Sequence, residues 1–210
     1  MKINNNIKNC AIIGNSPSLL DQINGEKIDN NDKIIRCNMG IVDGFENFVG
    51  SRTDIRLINC HVLKLLQNKK GVAELKKFEC LQKYSIVEII SSSEILILKD
   101  TKCNKFARKN NIEKTIQQNY NLNNSIYTFN TNAFSKININ STFSAGGHAI
   151  ALAAFLYPKA QINVYGFSFY ESNKTKGCSH YYENVNNKKL GHNYSKEKQV
   201  ITRMKRVNIL

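Results

Sequence analysis

Apolar residues in this chain come in short runs, and most runs close on glycine, asparagine or serine. Asn9 to Gly14 (Asn-Cys-Ala-Ile-Ile-Gly) has the pattern of a buried strand ending in glycine. Ser16 can then cap a helix whose first turn accepts Pro17, because that position needs no N–H. Asp32 to Asn38 predicts a second strand and Asp54 to Cys60 a third. His61 to Gln67 reads as a helix, as does the charged stretch Gly71 to Lys83. Ser85 to Lys99 holds two strand-like runs parted by a serine cluster. Thr101 to Gln118 mixes polar and apolar residues as a surface helix does. Asn119 to Thr142 is rich in asparagine and reads as loop with one weak strand.

The pattern sharpens again near the C-terminus. Ser144 to Tyr157 is an apolar helix built largely of small residues, and Pro158 stops it. Ile162 to Phe167 is another buried strand. Residues 168–194 form a polar loop, and Ser195 to Val207 a basic closing helix. Strands that alternate with helices and are apolar on both faces predict an α/β fold. We expect a Rossmann-like, mainly parallel sheet with helices on both faces, in one domain spanning residues 1–210.

Composition narrows the function. The net charge is +14, from 30 Lys and Arg against 16 Asp and Glu. Such a field attracts anions: nucleic acid, an acidic membrane surface or a phosphorylated substrate. The lysines are scattered and no aromatic RNA-binding motif is present, so nucleic acid is not the expected partner. Lysine-rich and asparagine-rich composition alone would also give this charge. No apolar run approaches the roughly 18 residues of a membrane span. The polar start, Met1 to Asn9, lacks the apolar core of a signal peptide. These features predict a soluble, cytoplasmic chain, with peripheral contact to an anionic membrane left open. None of the six cysteines forms a Cys-x-x-Cys pair, so no zinc site is expected and the thiols are read as reduced.

Candidate chemistry gathers where strands end. In parallel sheets ligands bind at the carboxyl ends of the strands. Asn15, Ser16, Asn38, Asn59 and Phe167 follow strands, and Ser144, Ala145 and Gly146 open a helix. Helix N-termini at Pro17 and Gly147 would offer N–H groups to an anion. The asparagine amides suit ribose hydroxyls, phosphate oxygens or a base edge. Two of the four histidines, His180 and His192, lie in the polar loop, each followed by a carboxylate (Glu183 and Glu197). Histidine exchanges protons near neutral pH, so the pair could supply an acid and a base in either order. His61 and His148 read as structural, Tyr181 and Tyr182 as packing aromatics, and Glu197 as a helix cap.

These segments resemble the sialylmotifs of glycosyltransferase family 29. Cys10-Ala-Ile-Ile-Gly-Asn-Ser-Pro-Ser-Leu-Leu, Ile34-Ile-Arg-Cys-Asn38 and Gly44 to Asp54 resemble the large motif. Ser144-Ala-Gly-Gly and Ile162-Asn-Val-Tyr-Gly-Phe167 resemble the small one. His180-Tyr-Tyr-Glu183 and His192 with Glu197 resemble the third and the last, all in the family's order. Gly14-Asn-Ser-Pro-Ser18, Arg36-Cys-Asn38, Ser179-His-Tyr181 and Gly191-His192 are also similar to bacterial sialyltransferases of family 42.

The resemblance implies a sialyltransferase fold of the GT-A-variant kind and transfer of sialic acid from CMP-N-acetylneuraminic acid to a glycan hydroxyl. It implies that Asn15 and Asn38 hold the donor's phosphate and ribose, with Asn59 adding a contact, and that the Ser144-Ala145-Gly146 backbone reads the cytosine. His180 would meet the leaving phosphate, His192 would take the acceptor proton, and Tyr170 would steady the phosphate. A single displacement implies inversion. No Asp-x-Asp lies near these residues, so neither metal nor other cofactor is expected. The stretch of about 65–140 would be the variable acceptor side. Animal members of the family pair the cysteine at position 10 with one near the end of the small-motif helix, but Leu156 to Ala160 holds none. Transfer of another CMP-activated acid sugar such as Kdo, or a non-catalytic nucleotide- or glycan-binding relative, are the alternatives.

Overall fold

The computed structural model describes residues 2–66, 85–100, 112–130, 134, 139, 143–169, 180–182 and 192–210. The Gly71 to Lys83 helix expected from the sequence lies outside them. The strands are β1 (Asn9–Ile13), β2 (Lys33–Cys37), β3 (Ile55–Ile58), β4 (Ile95–Asp100), β5 (Ser125–Asn130), β6 (Gln161–Tyr165) and β7 (Val207–Ile209). They form one seven-stranded sheet in the order β5-β4-β3-β2-β1-β6-β7, and all six pairings are parallel. The helices are α1 (Gly25–Asp29), α2 (Glu46–Val49), α3 (Cys60–Leu66), α4 (Ile86–Ser91), α5 (Ile112–Tyr120), α6 (Ala145–Leu156) and α7 (Tyr194–Ile201).

Strand alternation sorts the core into two layers. Ala11, Ile13, Ile34 and Ile58 face one cluster, which takes in Ile28 of α1, Leu63 of α3, Ile90 of α4 and Ile116 of α5. Cys10, Ile12, Ile35, Leu57 and Val164 face the other, which is filled by α6 and Ile201 of α7. The central strands are therefore buried on both faces, which is why they read as unbroken apolar runs. Ten of the twelve α6 residues are buried, as its apolar composition on every side requires.

Three local expectations are corrected. Pro17–Asp21 is a short 3₁₀ turn, in which the Leu19 N–H donates to the Ser16 carbonyl at 3.1 Å, an i→i+3 bond, and the Ser16 hydroxyl caps it by accepting the Ser18 N–H at 3.3 Å. The first apolar run after Ser85 is α4 and not a strand. Ser85 caps it by accepting the Glu88 N–H, and Ser-x-x-Glu is a helix-start pattern that outweighs four β-branched residues. The closing helix ends at Ile201, and Val207–Ile209 pairs with β6 as an edge strand. Three residues at an edge carry too little pattern to be read from sequence.

Two arginines sit inside the sheet. Arg36 of β2 and Arg56 of β3 are partners in register and each is 1% exposed. Burial lowers the proton affinity of both guanidinium groups, that of Arg56 to about 10.

Ile12 is fully buried at the centre of the sheet. Ile12→Ala is expected to cost about 2–5 kcal/mol, read as a lowered denaturation midpoint at unchanged denaturant slope.

Candidate active site

The chain runs from β1 outward through β5 and then returns to place β6 on the other side of β1. That reversal leaves a crevice at the carboxyl ends of β1 and β6, where open parallel sheets bind their ligands. Backbone bonds lock the two strand ends together. The Gly14 N–H donates to the Tyr165 carbonyl at 2.8 Å and the Ser16 N–H to the Gly166 carbonyl at 3.1 Å. Gly166 has φ 69°, and a Cβ there would sit 2.5 Å from the Leu19 side chain, so only glycine makes this turn.

The three strand-end asparagines are held by their amides. Asn38, at φ 52° just after β2, accepts the Asn59 N–H on its Oδ1 at 2.9 Å. Asn59 accepts the Val62 N–H on its own Oδ1 at 2.9 Å, capping α3. Both residues thus keep Nδ2 as a donor with no partner among the described residues. Asn15 is the reverse: its Nδ2 donates to the Cys37 carbonyl at 3.2 Å, and its Oδ1 is buried without a partner there. The site therefore offers donors from two amides and an acceptor from the third.

Helix α6 runs from Ala145 to Leu156 with Ser144 as its cap, within the Ser144 to Tyr157 expected, and its open N–H groups lie before Gly147 and not at it. The Gly147 N–H is taken up by the Ser144 hydroxyl at 3.1 Å, which leaves the Ala145 and Gly146 N–H groups facing the crevice end. The Glu197 carboxyl group crosses from α7 to hold this cap. Its Oε2 accepts the Ser144 N–H at 2.7 Å, and its Oε1 accepts the Ser144 hydroxyl. Glu197 is 1% exposed, and a Cβ at residue 147 would come within 2.8 Å of its carboxyl carbon. The helix-cap role read for Glu197 is found here on α6, across 53 residues of sequence.

The two histidines are fixed by their neighbours. The Tyr181 N–H donates to the Asn15 carbonyl at 2.9 Å, and the Tyr181 hydroxyl donates to the Ile41 carbonyl. His180 stacks on Tyr182 with ring centroids 5.2 Å apart and planes within 6°. Tyr181 and Tyr182 are buried, as their packing role requires. His192 precedes Asn193, whose Oδ1 caps α7 by accepting the Lys196 N–H at 3.0 Å. Its ring meets Tyr194 edge-on at 5.7 Å. His148 is fully buried in α6, with Nδ1 2.9 Å from the Ser144 carbonyl oxygen, and is structural.

One cavity of about 200 Å³ brings these groups together. Asn15, Ser16, Asn38, Asn59, Ser144, Ala145, Gly146, Phe167, His180 and His192 all line it, and Tyr170 lies outside the described residues. Ser16 lines it with its hydroxyl engaged by the Ser18 N–H and hydroxyl, so the 3₁₀ turn adds no helix N-terminus for an anion. Cys37, Phe169 and Tyr194 also line it and were not singled out from the sequence. Cys37 reads there only as the end of an apolar run. Phe169 stands at φ 46°, a conformation that no local pattern announces for a bulky residue.

The fold and the placement of the crevice define a doubly wound α/β protein with a cavity at its switch point. The model of glycosyltransferase family 29 (sialyltransferase) matches residues 2–209, and the chain belongs to that family. The beta-1,6-galactosyltransferase GALT29A of Arabidopsis thaliana is 43% identical over 54 residues, 26% of this chain and 14% of that protein. The human beta-galactoside alpha-2,6-sialyltransferase 2 is 35% identical over 57 residues, 27% of this chain and 11% of that protein. The matched stretches thus span about a seventh or less of these relatives. The fold is shared with the crystal structure of a mammalian sialyltransferase in complex with Gal-beta-1-3GalNAc-ortho-nitrophenol. That likeness has TM-score 0.63 at 17% identity, over 97% of this chain and 69% of that one. Among the described residues no helix is long and apolar enough to cross a membrane.

Glu197→Ala removes both acceptors from Ser144 and is expected to cost about 1.5–3 kcal/mol of stability. Chemical denaturation checks it, and a loss below about 0.5 kcal/mol would put the clamp aside.

Proposed function

We propose that this chain transfers sialic acid from CMP-N-acetylneuraminic acid to a hydroxyl of a glycan acceptor, an oligosaccharide or glycolipid, with inversion and without a metal ion. The observation that carries the reading is the convergence of His180 and His192 on one cavity with the α6 N-terminus and the strand-end amides. Family membership supports the reaction class.

The roles follow from the chemistry. The nucleotide lies across the switch point, with the cytosine against the Ser144-Ala145-Gly146 backbone and the ribose and phosphate near Asn15, Asn38 and Asn59. His192 takes the proton of the acceptor hydroxyl, whose oxygen attacks the anomeric carbon as the bond to the phosphate oxygen breaks. His180 meets the negative charge that develops on the departing CMP. A well-placed donor of this kind supplies about 3–4 kcal/mol, and the acceptor base about 10²–10⁴-fold in rate. The stretch of about 65–140 carries acceptor recognition in this reading, and the net charge of +14 suits contact with an anionic membrane surface.

A second reading has its own support. One relative is named a galactosyltransferase, and it matches with 43% identity over 54 residues. The sugar donor is therefore open to another nucleotide-activated sugar on the same frame.

The protein is incubated with CMP-N-acetylneuraminic acid, or with a galactosyl donor, and lactose-type acceptors in EDTA. Release of CMP that depends on acceptor is expected. No release with any acceptor, and no hydrolysis, overturns the enzyme reading. Turnover from the galactosyl donor alone favours the second. His192→Ala is expected to lower transfer by about 10²–10⁴-fold while CMP still binds.

A further inference from the structure

We propose that Arg56 is a positioning residue for the nucleotide: its guanidinium holds Asn38 in the backbone conformation that presents the Asn38 amide to the cavity. This rests on the reading of that cavity as a nucleotide-sugar site. Arg56 is 1% exposed on β3 and faces away from α6. Its Nη1 donates to the carbonyls of Asn38 at 2.8 Å and Gly40 at 3.1 Å, and its Nη2 to the Ser92 hydroxyl at 3.3 Å. Two carbonyls and a hydroxyl are thus its partners, with no carboxylate among them. A buried cation with no ionic partner among the described residues is an expensive way to fill a strand position that isoleucine or leucine fills next door. What distinguishes arginine there is the pair of carbonyls it gathers.

Those carbonyls belong to the turn that the site depends on. Asn38 stands at φ 52°, in the left-handed region that a non-glycine residue occupies only when its surroundings hold it. Three bonds hold it: its N–H donates to the Leu57 carbonyl at 2.8 Å, its Oδ1 accepts the Asn59 N–H, and its carbonyl accepts from Arg56. Gly40, the other carbonyl Arg56 grips, packs against Asn15 so closely that a Cβ would lie 2.8 Å from the Asn15 Oδ1. One guanidinium therefore holds the turn that carries Asn38 without lining the cavity itself. Arg36 supplies the contrast. It is equally buried, but its donors go to the carbonyls of Gly50 and Arg52 and to the Thr53 hydroxyl, none of which lines the site.

The test uses Arg56→Met, Arg56→Lys and Arg36→Lys, each alone and the first two also with Asn38→Ala. CMP affinity is measured by calorimetry, and hydrogen exchange is followed at the Asn59 amide. Arg56→Met is expected to weaken CMP about tenfold and Arg56→Lys about threefold, since one ammonium replaces a two-carbonyl grip. With Asn38→Ala present, either change should shift CMP affinity less than about twofold. The Asn59 amide should exchange at least about tenfold faster in Arg56→Met while α6 amides keep their protection. Arg36→Lys should leave CMP affinity unchanged. Unaltered CMP affinity in a folded Arg56 variant, an equal loss with and without Asn38→Ala, or unchanged Asn59 exchange overturns the proposal. If Arg56→Met does not fold, Arg56→Lys decides by the same comparisons. If the parent chain binds no CMP, the nucleotide reading fails, and Asn59 exchange still decides whether Arg56 holds Asn38.

Discussion

The Glu197 carboxyl group is the interaction on which the site's geometry turns. It lies in the first turn of α7, five residues after His192, and it reaches the cap of α6. An acidic side chain at the N-termini of two helices is favoured by both helix dipoles, and its two bonds to Ser144 offset the cost of burying it. Because Ser144 also caps its own helix through Gly147, one carboxyl group sets the start of α6 and the orientation of the segment bearing His192. The glycine at 147 is there because Glu197 occupies the space of a side chain.

Around that clamp the site is built from groups whose other ends are already used. Asn38 and Asn59 spend their carbonyl oxygens on the backbone and keep their NH₂ ends, so the donors that face the cavity are fixed in direction. His180 is followed directly by Tyr181 and Tyr182, and both of these are buried in the core. Such anchoring lets a polar segment hold a titratable side chain in a definite place. The shared fold with a mammalian sialyltransferase at 17% identity fits this logic, since the frame needs apolar strands, small residues at close approaches and a few bonded polar groups, and most other positions are free to vary.

Much of the frame was legible because its elements are local. Strands β1, β2 and β3 are buried on both faces, so they stand out as apolar runs, and α6 stands out because it is apolar all round. The candidate residues were legible because ligands of parallel sheets collect at strand ends, and ten of the eleven line one cavity, with Tyr170 outside the described residues. Helix α4 was misread because four β-branched residues masked a cap, and β7 because an edge strand of three residues borrows its structure from β6.

The sequence by itself determined the alternation of strands and helices, the residue types able to hold a nucleotide, and the presence of two histidines in a polar loop. Those properties depend on composition within a few neighbouring residues. Only the tertiary structure decided that Glu197 caps α6 rather than its own helix and that Asn38 takes a left-handed turn between Leu57, Asn59 and Arg56. Each of these is a bond between groups 18 to 53 residues apart, and hydrogen-bond partners at that separation are chosen by packing, which no local pattern contains.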